Sequence, residues 1–201
     1  IGDRSFITDC VYSRTVEVTA DDMRGRLVLH FGAVDYIATV YVNGRRVTEH
    51  VGGYTAFEAD ITPYVFEGQN RITVAVHDDV RENIPSGKQS KKPDSHGCFY
   101  TRSTGIWQTV WLERTPVNYI KAIKFYPQSD YKTVRVELLT EGCGAASICV
   151  FLNGKRVGEA RGEVEYRHTF DIELSEIALW SVGEGNLYDV TATFGEDEVQ
   201  S

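Results

Sequence analysis

The side chains best equipped for chemistry are concentrated in one short run, His96-Gly97-Cys98-Phe99-Tyr100-Thr101-Arg102, with Asp94 just before it. An imidazole, a thiol, a phenol, a guanidinium and a carboxylate fall within nine residues. A flat ring covers the apolar face of a sugar, and Tyr, Arg and Asp grip hydroxyls through directional hydrogen bonds. Asp94, His96, Tyr100 and Arg102 are therefore the candidate ligand contacts. Other chemistries find less support. Ser86 lies in the turn Pro85-Ser86-Gly87, and no Gly-x-Ser-x-Gly elbow is present. No phosphate loop or Gly-x-Gly-x-x-Gly fingerprint follows an apolar run, so no nucleotide or other cofactor is expected. His77-Asp78-Asp79 and His96-x-Cys98 have the composition of metal ligands but the spacing of no defined site, and no metal is assigned. Paired carboxylates at about 5–10 Å would suit glycosidic hydrolysis, but none of the 29 acidic residues is singled out by context, so no catalytic residue is named.

The elements that position the run are strands. Apolar residues alternate over 15–18, 26–31, 37–42, 71–76 and 108–113, and again over 122–125, 133–138, 147–152, 164–170 and 187–194. Such short, turn-punctuated strands predict sandwiches. Trp107 and Trp111 share a face of one strand by alternation and are read as inward, with Phe99 and Tyr100 clustered nearby. Helical turns are expected only at 60–64, with Asp60 or Thr62 as cap and Pro63 at its opening, and at 175–180. The candidate run closes a connection of some thirty residues, 77–105, far longer than a compact domain needs for linkage alone. Its charges nearly balance, Arg81, Lys88, Lys91, Lys92 and Arg102 facing Asp78, Asp79, Glu82 and Asp94.

One echo sets the organisation. Val40-Tyr-Val-Asn43-Gly44-Arg-Arg-Val47-Thr-Glu49 returns as Val150-Phe-Leu-Asn153-Gly154-Lys-Arg-Val157-Gly-Glu159. Asn-Gly between alternating runs signals a two-residue hairpin, because a type I′ turn needs positive φ twice. Ala59-Asp60-Ile61 and Phe170-Asp171-Ile172 continue the echo. Two sandwiches in series follow, residues 1–116 and 117–201.

The 201 residues hold 42% hydrophobic and 25% charged residues, which excludes a disordered or collagen-like chain. A net charge of −8 repels phosphate backbones and anionic lipid, and no apolar run nears the ~20 residues of a membrane span. Neither nucleic acid nor membrane is an expected partner. Cys10, Cys98, Cys143 and Cys149 are read as buried free thiols, with one or two disulfides left open for an exported protein.

Across about 100 residues the ordered motifs resemble a known family. Leu29-His-Phe31-Gly32-Ala-Val34-Asp35, Gly52-Gly53-Tyr54-Thr-Ala-Phe57-Glu-Ala-Asp60-Ile61-Thr62, Gly68-Gln-Asn70 and Gly105-Ile106-Trp107-Gln-Thr-Val110-Trp111-Leu112 resemble the N-terminal sugar-binding domain of glycoside hydrolase family 2, which includes β-galactosidases, β-glucuronidases and β-mannosidases. Leu179-Trp180-Ser181 and Asn186-Leu187-Tyr188-Asp189 resemble the close of that family's immunoglobulin-like domain. The resemblance implies an all-β fold: a jelly-roll-like (galactose-binding-like) sandwich, then an immunoglobulin-like sandwich. It also implies a (β/α)₈ barrel after Ser201 that carries both catalytic glutamates, leaving this stretch without hydrolytic activity. The implied partners are carbohydrate and that barrel, and homo-oligomers stay open. In β-galactosidases of the family an Asp shortly before the Gly-Ile motif contacts the sugar; here Gly97 to Ser103 holds none, and Asp94 is the nearest. Cys10-Val11-Tyr12-Ser13-Arg14 resembles an early strand of the family, so the first sandwich is expected to lack strands before Ile1. The expected parent is a β-galactosidase-like retaining enzyme. An autonomous carbohydrate-binding module and an immunoglobulin-like adhesion or assembly protein are the alternatives. The compartment is not fixed by the sequence, a periplasmic or extracellular one being favoured over the cytoplasm.

Overall fold

The computed structural model describes residues 5–79 and 83–201; Arg81 and Glu82, two of the loop charges, lie outside the described residues. The chain divides into two compact units, Ile1–Arg114 and Thr115–Ser201. Fourteen strands and two 3-10 turns account for the regular structure among the described residues, and the fold is all-β. No described helix is long and apolar enough to cross a membrane.

The first unit places two sheets face to face. Its strands are β1 (Asp9–Val18), β2 (Arg26–Phe31), β3 (Val34–Asp35), β4 (Ile37–Val42), β5 (Arg45–Val51), β6 (Phe57–Asp60), β7 (Gly68–His77), β8 (Gly105–Ile106) and β9 (Val110–Thr115). One sheet runs β1-β7-β4-β5 and the other β6-β2-β9, with β3-β8 as a separate two-stranded ribbon. Alternation decides which side chains meet. Ala38, Val40 and Val42 of β4 and Ile72, Val74 and Val76 of β7 pack in one core with Leu27, Leu29 and Phe31 of β2.

The second unit is one sheet of β10 (Tyr119–Pro127), β11 (Thr133–Leu152), β12 (Lys155–Glu173), β13 (Asp189–Phe194) and β14 (Asp197–Gln200). The sequence suggests separate strands over 133–138 and 147–152, but β11 is continuous. Its register against β12 shifts between Leu139 and Cys143, a bulge that turns the strand without ending it. Val136 and Leu138 from one half thereby join Ile148, Val150 and Leu152 from the other in a single core.

Both Asn-Gly hairpins are present, with φ of 50° and 79° at Asn43 and Gly44 and 51° and 76° at Asn153 and Gly154. The longer echo diverges. Asp60 ends β6, and its Oδ1 accepts the Thr62 N–H at the start of the 3-10 turn Thr62–Tyr64. Asp171 instead lies inside β12 and holds Arg135 by two hydrogen bonds of 2.7 and 2.9 Å. The helical turn expected at 175–180 does not form. The backbone donors there are taken from outside: Ser175 N–H goes to the Val157 carbonyl and Ala178 N–H to the Tyr188 hydroxyl. The inward reading of Trp107 and Trp111 is also corrected. β8 stops at Ile106 and β9 starts at Val110, so the two indoles do not share a strand, and both are nearly half exposed. All four cysteines are free thiols, but none is fully buried: Cys98 and Cys143 are exposed, and Cys10 and Cys149 are half-buried.

Candidate functional site

The long connection begins and ends beside two carboxylates that the sandwich has buried. Asp35 is 3% exposed and pairs, as the last residue of β3, with Gly105 of β8. Gln89 reaches it from the loop, Nε2 donating to Asp35 Oδ2 at 2.7 Å while Oε1 accepts the Ser103 N–H at 2.8 Å. Gly53 closes the other side, since a Cβ there would stand 2.4 Å from Asp35 Oδ1. Burial raises the Asp35 carboxyl above its usual range, against the pull of the Gln89 bond.

Asp78, just past β7, is 2% exposed. Its N–H donates to the Thr8 carbonyl, and the Thr104 hydroxyl lies 3.0 Å from its Oδ2. Burial lifts this carboxyl to about 6, with the Asp35 charge adding to the lift.

Above Asp35 and Gln89 the surface is aromatic. Trp107 donates its Nε1–H to the Gly53 carbonyl at 2.8 Å and meets Tyr54 edge-on, with centroids 5.9 Å apart. The Tyr54 and Tyr100 hydroxyls converge on Gly87, where a Cβ would lie 2.8 Å from the first and 3.4 Å from the second. Burial, then the Tyr100 hydroxyl and the Asp35 charge, pushes the Tyr54 phenol above its ordinary range, with Gln89 opposing. Tyr54, Tyr100 and Trp107 are each about half exposed, so the patch presents aromatic surface to solvent.

The other three candidates lie in the adjoining turn. His96 and Phe99 exchange both backbone hydrogen bonds around Gly97-Cys98, and their rings stack at 5.3 Å. Ser90 organises this turn: its N–H donates to the Tyr100 carbonyl, and its Oγ lies 3.0 Å from His96 Nδ1 and 2.9 Å from the Asp94 carbonyl oxygen. The Ser90-His96 spacing is that of a nucleophile and its base, but Ser90 is 1% exposed and its Oγ also accepts the Lys92 N–H, so it works as a lock. Asp94 and His96 are exposed on that turn. Arg102 is 3% exposed. Its guanidinium covers the Phe6 ring at 3.8 Å and donates to the Ser5 and Lys92 carbonyls. The structure gives Arg102 a holding task within the loop, where the sequence suggests a ligand contact.

The aromatic cluster read from the sequence is split. Trp111 stacks on His30 at 4.8 Å, and His30 Nε2 lies 2.8 Å from Glu113 Oε2. His77 bridges Asp9 and Asp79 while Asp78 is buried, so that triplet does not converge. No described group of three or more His, Cys, Asp and Glu is arranged for a metal ion. Sequence reasoning passed over Tyr54, Gln89 and Asp35 as site residues. An Asp directly after the apolar Ala33-Val34 was the available signal, because a carboxylate in such a run must find a buried partner.

The chain is thus two β-built units, the first bearing an aromatic patch beside a long loop. Residues 4–116 match the model for glycosyl hydrolases family 2, sugar binding domain, and the chain belongs to that family. It is 34% identical over 138 residues to a β-galactosidase of Thermoanaerobacter pseudethanolicus, covering 68% of this chain and 16% of that protein. It is 30% identical over 182 residues to the β-glucuronidase of Canis lupus familiaris, covering 79% and 28%. A family 2 member from Bacteroides cellulosilyticus shares the fold over 96% of this chain and 28% of its own, with a TM-score of 0.76 at 21% identity. The chain thus spans between 16 and 28% of the length of these curated relatives.

Proposed function

We propose that the chain is the non-catalytic N-terminal portion of a β-galactosidase-like O-glycoside hydrolase. In this reading residues 1–116 form the sugar-binding-type sandwich and 117–201 the immunoglobulin-like one. Both support a (β/α)₈ barrel of the same polypeptide that carries the catalytic carboxylates. The observation that carries it is the convergence of Tyr54, Tyr100 and Trp107 beside the loop of the family-matched unit. Tyr100 and Tyr54 supply ring faces and hydroxyls to the sugar, Asp94 and His96 supply polar contacts at its edge, and Arg102 holds the loop that presents them.

In the full-length enzyme, Tyr100→Ala raises KM for an aryl β-glycoside about tenfold, the worth of one good ring contact, with an unchanged melting temperature. Unchanged kinetics reject the contact. The 201-residue chain itself shows no hydrolysis, and turnover by it overturns the non-catalytic reading. The exposed patch also favours a second reading, an autonomous carbohydrate-binding module. Calorimetric titration of the chain with galactose, glucuronate and their β-linked disaccharides separates the two, because heat of binding is expected only from the autonomous module.

A further inference from the structure

The loop from residue 83 to 104 is tied down at its base by contacts to both buried carboxylates. Gln89 spans Asp35 and the Ser103 N–H, and Thr104 spans Asp78 and the Ile7 carbonyl. The second tie has a proton count that does not close. Thr104 Oγ1 lies 2.8 Å from the Ile7 carbonyl oxygen and 3.0 Å from Asp78 Oδ2, two acceptors facing a hydroxyl with one hydrogen. With Asp78 ionised, one contact lacks a proton. With Asp78 protonated, its O–H donates to Thr104 Oγ1 and the Thr104 hydrogen goes to Ile7, so both contacts become hydrogen bonds.

We propose that Asp35 and Asp78 are positioning residues that clasp the 83–104 loop onto the first sandwich, and that the clasp is complete only when Asp78 carries a proton. The proposal deepens the functional reading above, because the loop so held presents Tyr100, but its test needs no sugar. The groups acting on Asp78 are Asp35 from β3, Thr104 from the loop, and its chain neighbours His77 and Asp79. Tyr54 and Gln89 face Asp35. Among the described residues the only cationic group acting on Asp78 is the His77 imidazole, which opposes the lift. Asp78, raised from 3.8 to about 6, keeps its proton in the clasped loop at pH values where the released loop has lost it. Holding is therefore strongest at low pH and weakens as pH rises through about 6.

Amide hydrogen exchange on the 201-residue chain, corrected for intrinsic rates, reads the clasp directly. Protection of the loop amides falls about tenfold between roughly pH 5 and pH 7.5, the change that linkage assigns to this shift, while β12 amides hold theirs. Asp78→Asn abolishes the dependence and keeps the loop protected throughout, since the amide donates to Thr104 Oγ1 as the protonated acid does. Flat protection in the wild type, or the same pH dependence in D78N, overturns the proposal. A measurement without any variant stands beside it: the Asp78 carboxyl carbon titrates near 6 by NMR, and titration in the ordinary carboxylate range also overturns it.

Discussion

Replacing Gly105 by Ala is expected to unfold most of what positions the loop. Gly105 has φ of +92°, a conformation that costs a side chain about 1–3 kcal/mol. The added Cβ would also stand 2.3 Å from the Tyr12 hydroxyl oxygen and 3.0 Å from Cys10 Sγ. Neither neighbour has an easy retreat: Tyr12 and Cys10 belong to β1, which pairs along its length with β7, and the Tyr12 hydroxyl accepts the Ile106 N–H. Strain and overpacking together reach about 3–5 kcal/mol, a large share of the stability of an ordinary domain. Urea unfolding of G105A should show the first transition lost or moved far down. A midpoint within error of the wild type would contradict the geometry.

The second large effect separates two turns that look alike. Asn43 does more than supply positive φ: its Nδ2 donates to the Tyr64 carbonyl and to Asn70 Oδ1, and its Oδ1 accepts the Arg71 N–H. Asn70 is itself fully buried and binds Phe66 and Gly68. Asn43→Ala strips three partners at once and should cost about 2–4 kcal/mol. Asn153 makes no side-chain hydrogen bond among the described residues, so Asn153→Ala should cost only about 0.5–1 kcal/mol, the turn preference alone. Equal losses in paired denaturant titrations would show that turn geometry, and not the Asn43 network, carries the stability.

That contrast marks how far the sequence could be read. Local rules were legible: alternation located β2 and β4, Asn-Gly located both hairpins, and Asp60 with Pro63 located a 3-10 turn. Properties that depend on distant chain were not. The weight of Asn43 comes from Tyr64, Asn70 and Arg71 closing around it, while the same dipeptide at Asn153 has no such surroundings. Asp78 stands in the sequence only as a loop charge and a member of His77-Asp78-Asp79, and only the closure of the sandwich buries it together with Gln89. At the candidate run 94–102 the sequence names the residues but not their directions: Arg102 turns inward, and Tyr54, distant in the chain, stands beside Tyr100. Trp111 departs from the inward expectation because the strand breaks over residues 107–109, and alternation does not run across the gap.

The long arms of β11 and β12 have a kinetic consequence. Their ladder starts beside a two-residue turn, Leu152 opposite Lys155, and extends to Thr133 opposite Glu173. Such a ladder can zip outward from its turn, each step closing only a small additional loop. The β1-β7 pair of the first unit has no such start: even the nearest ends of its ladder, Val18 and Gly68, must meet across 50 residues of chain before the two strands can align. After dilution from denaturant the second unit therefore acquires its core first, and the half of the chain that holds the aromatic patch is the slower to form.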